Sequence, residues 1–169
     1  MPPLTPQAPV VSKRYTRGPM RIRELSASEC VEIIKRSELG HLACSRHDQP
    51  YIVPIHFSFD PNDECLYAFS GVGQKIQWMR ENPKVCVEIE DIADKHNWTT
   101  VLVYGEYQEL SEAADDAGAR RRALDLFQMR PEWWFPAAGR TDKRDHHALV
   151  IYRIRVQRTS GRRAARTRA

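Results

Sequence analysis

The part of the chain best suited to chemistry is the block Leu66-Tyr-Ala-Phe-Ser-Gly-Val-Gly-Gln-Lys-Ile-Gln-Trp-Met-Arg-Glu-Asn-Pro83. An apolar run ends in Ser70, a glycine turn follows, and helix-forming residues begin at Gln74 and Lys75. The first turn of a helix leaves backbone N–H groups free and carries partial positive charge, so it favours an anion. A lysine in that turn adds a full charge and three donors, which together suit a phosphate. Spacing alone does not separate this from the commoner case, a solvated lysine after a flexible turn.

Other residues offer weaker chemistry. His56 ends an extended apolar run, and an imidazole there can serve as an acid or a donor, or equally be a strand histidine with a satisfied partner. Trp133-Trp134-Phe135-Pro136 puts a large apolar surface in a loop, either to cap a planar ligand or to pack on the body of the protein. Asp142, Asp145, His146 and His147 contain metal-ligand types, but adjacent histidines on an extended chain point to opposite sides, so no metal site is expected. No Ser-His-Asp order is legible.

These groups need a scaffold, and the apolar periodicity supplies one. Residues 1–20 hold five prolines and no period, which reads as a flexible arm. Ser26 and Glu29 fit a capping box that opens a helix over 28–37. Strands follow over 39–46 and 50–59, joined by His47-Asp48-Gln49. Pro54 places the second of them at an edge, or where something else approaches its backbone. Further strands are predicted over 65–70, 84–90, 99–110 and 148–156. Helices are predicted over 74–80, stopped by Asn82-Pro83, and from a Ser111 cap to about 129. Six strands, mostly joined by short turns and with three inserted helices, describe a mainly antiparallel barrel.

The 169 residues suffice for one domain, placed at 21–157, and 41% hydrophobic with 28% charged residues is a globular balance. No apolar run approaches membrane length and no export signal is visible, so a cytoplasmic protein is expected. Cys30, Cys44, Cys65 and Cys86 are widely spaced and read as buried free thiols. The formal charge of +4 is uneven: Arg153 to Ala169 holds seven arginines and no acid. Residues 158–169 are therefore read as a solvated basic tail. It lacks the interleaved aromatics of single-strand binders, so nucleic acid is not the expected partner.

In order, the strand–Ser–turn–Gln–Lys–helix–Asn–Pro–strand block, the preceding Tyr51-Ile-Val-Pro-Ile-His56 and the following Trp98-Thr-Thr-Val-Leu-Val-Tyr-Gly105 resemble the pyridoxamine 5'-phosphate oxidase-like, FMN-binding split-barrel family. The likeness runs over about residues 21–156 and is nearer the nitroimidazole-resistance-type branch. It implies a six-stranded antiparallel split β-barrel and a homodimer with FMN at the interface. The implied activity is a flavin-dependent oxidoreductase acting on a small molecule. Position by position, it implies that Lys75 holds the flavin phosphate with Gln74 and Ser70 beside it. Val53, Pro54, Ile55 and His56 would follow the ring and ribityl chain, and Trp98, Thr99 and Thr100 would lie close, the threonines as donors. Phe69 stands where that branch has a histidine beside the cofactor, so an activity needing the histidine is not implied. The additional basic residues of the true oxidases have no located counterpart. Some relatives of the fold bind haem or a deazaflavin, with His56 one candidate axial ligand. A non-catalytic cofactor binder of that kind, and nucleic-acid binding through the arginine tail, are the alternatives.

Overall fold

The computed structural model describes residues 19–130 and 149–166. β1 (Met20–Glu24) leads into α1 (Ala27–Arg36), and the capping box forms as expected. The Glu29 N–H donates to Ser26 Oγ, and the Ser26 N–H donates to Glu29 Oε2. β2 (Leu39–Arg46) and β3 (Gln49–His56) make a hairpin whose turn residues His47 and Asp48 both take positive φ, 48° and 62°. That pairing suits a primed turn, whose twist matches the flanking strands.

The chain continues through β4 (Ser58–Asp60), β5 (Cys65–Gly71), α2 (Gln74–Glu81), β6 (Lys84–Asp94) and β7 (Asn97–Glu109). It ends with α3 (Ala117–Gln128) and β8 (Leu149–Arg166). One antiparallel sheet runs in the order β3-β2-β6-β7-β8-β5-β4, and β1 adds to β8. The ladder does not close on itself. Its two ends, β3 and β4, are instead consecutive in the chain and joined through Phe57, which gives the split barrel. β3 lies at a sheet edge, where Pro54 costs no ladder bond.

Three expectations need correction. The sheet has eight strands rather than six, because β1 is too short to show an alternation and the strand expected over 50–59 breaks at Phe57 into β3 and β4. Ser111 does not cap α3: its hydroxyl bonds the Asp116 carboxylate at 2.6 Å, and a 3-10 turn over Ala114–Asp116 precedes the helix. The basic segment from 158 is no tail as far as Arg166. It is the second half of β8, paired with β7 on one side and, over Arg162–Arg166, with β1 on the other. Arginine is tolerated there because Arg158 and Arg162 stand at exposed positions of the strand, while Gly161 and Ala164 occupy buried ones.

The main core lies between the inward faces of the strands. Leu42, Val87, Ile89, Val101, Val103, Tyr152 and Ile154 are fully buried, with Phe57, Ile76 and Met79 against them. Each such side chain contributes about 1.5–3 kcal/mol. α3 covers the other face of β5 and β8, packing Ala123 and Phe127 on Cys65, Tyr67 and Ile151. β5 is thus buried on both faces, which explains its unbroken apolar run. Gly105 and Gly161 are among the glycines required by close approach. A Cβ at Gly105 would strike the Arg155 carbonyl, and one at Gly161 would come within 2.8 Å of Leu25 and 2.9 Å of the Cys30 sulfur. All four cysteines are free, Cys86 being only partly buried. Among the described residues, no helix is long and apolar enough to cross a membrane.

Candidate functional site

α2 positions Lys75, and four ties fix α2. Ile76 and Met79 are fully buried beneath it, and Trp78 leans on Tyr51 with ring centroids 5.4 Å apart. Arg80 forms a two-pronged ion pair with Glu109, at 2.7 and 2.8 Å. At the helix end, the Asn82 side chain donates to the carbonyl and hydroxyl oxygens of Ser45 on β2. Pro83 cannot continue the helix, and its carbonyl accepts from the Tyr107 N–H at 2.8 Å. The Asn-Pro pair in the sequence block is therefore what seats the helix on the barrel.

At the other end, α2 starts from an extended Gly73 with no side-chain cap and no acid in its first turn. Lys75 is partly buried there, and it has no hydrogen bond or ion pair with any described residue. Burial lowers its pKa from the ordinary lysine value, opposed only by the nearby Cys44 thiol. A desolvated ammonium without a counter-ion is costly, and an anion brought to it offsets that cost. With the free N–H groups of the helix start, this set fits a phosphate.

The other expected residues divide. Gln74 is exposed beside Lys75, while the Ser70 hydroxyl donates to the Gly71 carbonyl at 2.9 Å. On β3, Pro54 and His56 face outward, whereas Ile55 belongs to the core and Val53 packs against it. Val53 and Ile55 therefore offer an outside ligand only their backbone. Thr99 is buried and accepts from Arg163 Nε at 3.1 Å, so its hydroxyl is already engaged, with Trp98 partly buried beside it. Thr100 points the other way, to the outer face of β7. Phe69 turns away from the barrel interior and packs edge-on against Phe127 of α3, at 5.1 Å. Trp133 and Trp134, and the Asp142, Asp145, His146 and His147 group, lie outside the described residues.

Register sets the scale of the site. Cys44, next to Lys75, pairs with Tyr51, and five residues along β2 Leu39 pairs with His56. At about 3.3 Å per residue, the two groups sit roughly 16 Å apart along the strands. Cys44 and Tyr51 face inward, whereas the outer face of the hairpin, where His56 lies, carries the exposed side chains of Leu39 and Ile52, 51% and 60% accessible. It also carries a group the sequence reading missed. His41, Glu88 and Glu90 place their ligand atoms within 4.8 Å of one another, and His41 pairs directly with Glu88 across β2 and β6. Only the register of two distant strands brings them together.

The chain matches the family model described as pyridoxamine 5'-phosphate oxidase over residues 26–163. It is similar to an uncharacterised protein of Rhizobium meliloti (strain 1021), 44% identical over 117 residues, which are 69% of this chain and 76% of the relative. Among solved structures it resembles an FAD-binding protein from Mesorhizobium loti, with 35% identity and a TM-score of 0.70, covering 87% of this chain and 99% of that one. A candidate 5-nitroimidazole antibiotic resistance protein from Bacteroides thetaiotaomicron shares the fold, with a TM-score of 0.62 at 17% identity over 89% of this chain and 92% of that one.

Proposed function

The chain belongs to the pyridoxamine 5'-phosphate oxidase family, and on that premise we propose that it is a flavin-dependent oxidoreductase acting on a small molecule in the cytoplasm. The observation that carries this reading is Lys75: a partly buried ammonium at a helix start, without a counter-ion among the described residues. FMN is the flavin whose single phosphate this set answers. The similarity to an FAD-binding protein at 35% identity supports FAD as the second reading.

In this proposal, Lys75 and the first N–H groups of α2 hold the flavin phosphate, with Gln74 as a further donor. Pro54 and His56 on the outer face of β3 border the ring, with the His56 imidazole as a polar group beside it. The bound flavin supplies hydride or electron transfer, while the protein supplies orientation and electrostatics. A second copy of the chain covers the exposed Leu39 and Ile52, excluding water from the same face. The exposed apolar side chains beside the proposed ring site support this reading of a homodimer with the flavin between two barrels.

The test is the visible spectrum of the purified protein, before and after adding FMN or FAD and removing the excess. Flavin bands retained through gel filtration at dimer size are expected. A Soret band would replace flavin with haem, and a colourless protein that retains neither flavin would end the proposal.

A further inference from the structure

The second half of β8 builds a site that Lys75 does not use. A recess of about 520 Å³ opens on the outer face of β7 and β8, beside the turn from β1 into α1. Its lining includes Glu24, Thr100, Leu102, Tyr104, Ser160 and Arg162, and its volume is that of a small-molecule site. Across the strand pair, Arg158 lies opposite Tyr104, Ser160 opposite Leu102, and Arg162 opposite Thr100.

A β-bulge creates this face. The β7–β8 register shifts between Tyr104 and Gly105, leaving Gln157 as the extra residue on β8. Before the bulge, Tyr152 and Ile154 point into the core. Without the extra residue Arg158, Ser160 and Arg162 would continue that inward phase; with it, all three turn outward. The bulge thus converts an arginine-rich stretch into an outward row, of which Ser160 and Arg162 line the recess and Arg158 lies beside it over Tyr104.

The row is chemically unfinished. The Arg158 guanidinium lies over the Tyr104 ring, 4.1 Å from its centroid. Neither Arg158 nor Arg162 has a hydrogen bond or ion pair with a described residue. The Arg162 guanidinium and the Thr100 and Ser160 hydroxyls in the lining, with the Arg158 guanidinium beside the recess, supply donors for the oxygens of a diphosphate. Glu24, opposite Arg162 across β1 and β8, is the single carboxylate in the lining, so the positive balance comes from Arg158 beside the recess. Leu102, with the part of Tyr104 that Arg158 leaves uncovered, gives an apolar wall for a planar base.

We infer that this recess is a second subsite, which binds the ADP moiety of a nucleotide. That moiety has two sources: the distal end of FAD, an arm that rests on the proposed flavin function, or a separate nucleotide co-substrate.

Calorimetric titration of the full chain with ADP tests the subsite. Saturable binding is expected, weakened about tenfold or more in an R158Q/R162Q double variant whose melting temperature is unchanged, and kept in K75A. If wild-type protein binds FAD more tightly than FMN and the double variant does not, the recess holds the end of FAD. If FAD and FMN bind alike and ADP still binds the FMN-loaded protein, the nucleotide is separate. No ADP binding, or equal binding by the double variant, overturns the subsite whatever the flavin does. Loss of ADP binding in K75A also overturns it, by assigning the ADP to the Lys75 site. ADP binding without any flavin binding supports the subsite and removes the flavin reading.

Discussion

Asn82 reaches from the end of α2 to β2, donating to both the carbonyl and the hydroxyl oxygen of Ser45 at 3.1 Å. Lys75 sits two turns away on the same helix, so this contact sets where its ammonium can reach. Asn82→Ala should destabilise the fold by about 1–2 kcal/mol, the range for a lost hydrogen bond that leaves a partly buried acceptor. It should also weaken flavin binding, although Asn82 itself touches no ligand. Ser45→Ala removes only one of the two acceptors and should cost less. Denaturant titrations with parallel flavin-binding curves on the two variants measure both effects.

Lys75→Ala should weaken flavin binding by about 1.5–3 kcal/mol, the value of a hydrogen bond to a charged group. Lys75→Arg keeps the charge but not the shape, and should fall between wild type and alanine. Unchanged affinity in the alanine variant would place the phosphate elsewhere.

The pH dependence follows from the same residue. Burial lowers the Lys75 pKa in the free protein, so its charged form persists only up to a pH below the ordinary lysine value. The phosphate interaction is fully present below that pKa and is lost as pH rises through it. Flavin fluorescence titrations at rising alkaline pH should show affinity falling in the wild type and a flatter profile in Lys75→Ala.

Asp60, at the end of β4, is almost fully buried and pairs with Arg122 of α3. It also accepts from the Asn62 N–H at 3.0 Å. The arginine, with that second donor, holds the carboxyl pKa below the usual aspartate value. The stabilisation is therefore present above the unfolded-state pKa and lost as pH falls through the lower folded one. Asp60→Asn should cost about 1–3 kcal/mol near neutrality and reduce the acid sensitivity of unfolding. Thermal melts from pH 7 down to pH 3 check both.

The mix of what the sequence revealed and hid has local causes. The capping box at Ser26 and Glu29, the edge position of Pro54 and the Ser70-to-Pro83 block were legible because each depends on neighbours in the chain. Ser111 misled because a carboxylate five residues on captured its hydroxyl. The inward turn of Ile55 follows from period two once the strand's phase is known, and the phase is fixed by pairing with β2. Nothing local shows that Phe69 faces α3, because β5 is covered on both sides. The largest miss was β8, where charge density suggested a solvated extension while the alternation that makes a strand was broken in phase at Gln157.

That miss yields a direct prediction. If residues 158–169 were a solvated tail, their removal would leave stability unchanged. In the structure their first part pairs with β7 from Trp98 to Tyr104 and with the whole of β1. It also covers Leu25 and Cys30 with Gly161, whose carbonyl accepts the Leu25 N–H at 2.9 Å. At about 1 kcal/mol for each of roughly a dozen ladder bonds, the loss is of the order of the whole stability of a domain, about 5–15 kcal/mol. Truncation after Gln157 should therefore abolish cooperative thermal unfolding, read by circular dichroism. Replacing Arg158 and Arg162 by glutamine removes their charge without removing the strand, and should leave the melting temperature within about a degree of wild type. A stable truncated chain would mean that β7 holds its place without the second half of β8. A destabilised double variant would mean that the arginines, rather than the ladder, secure this edge.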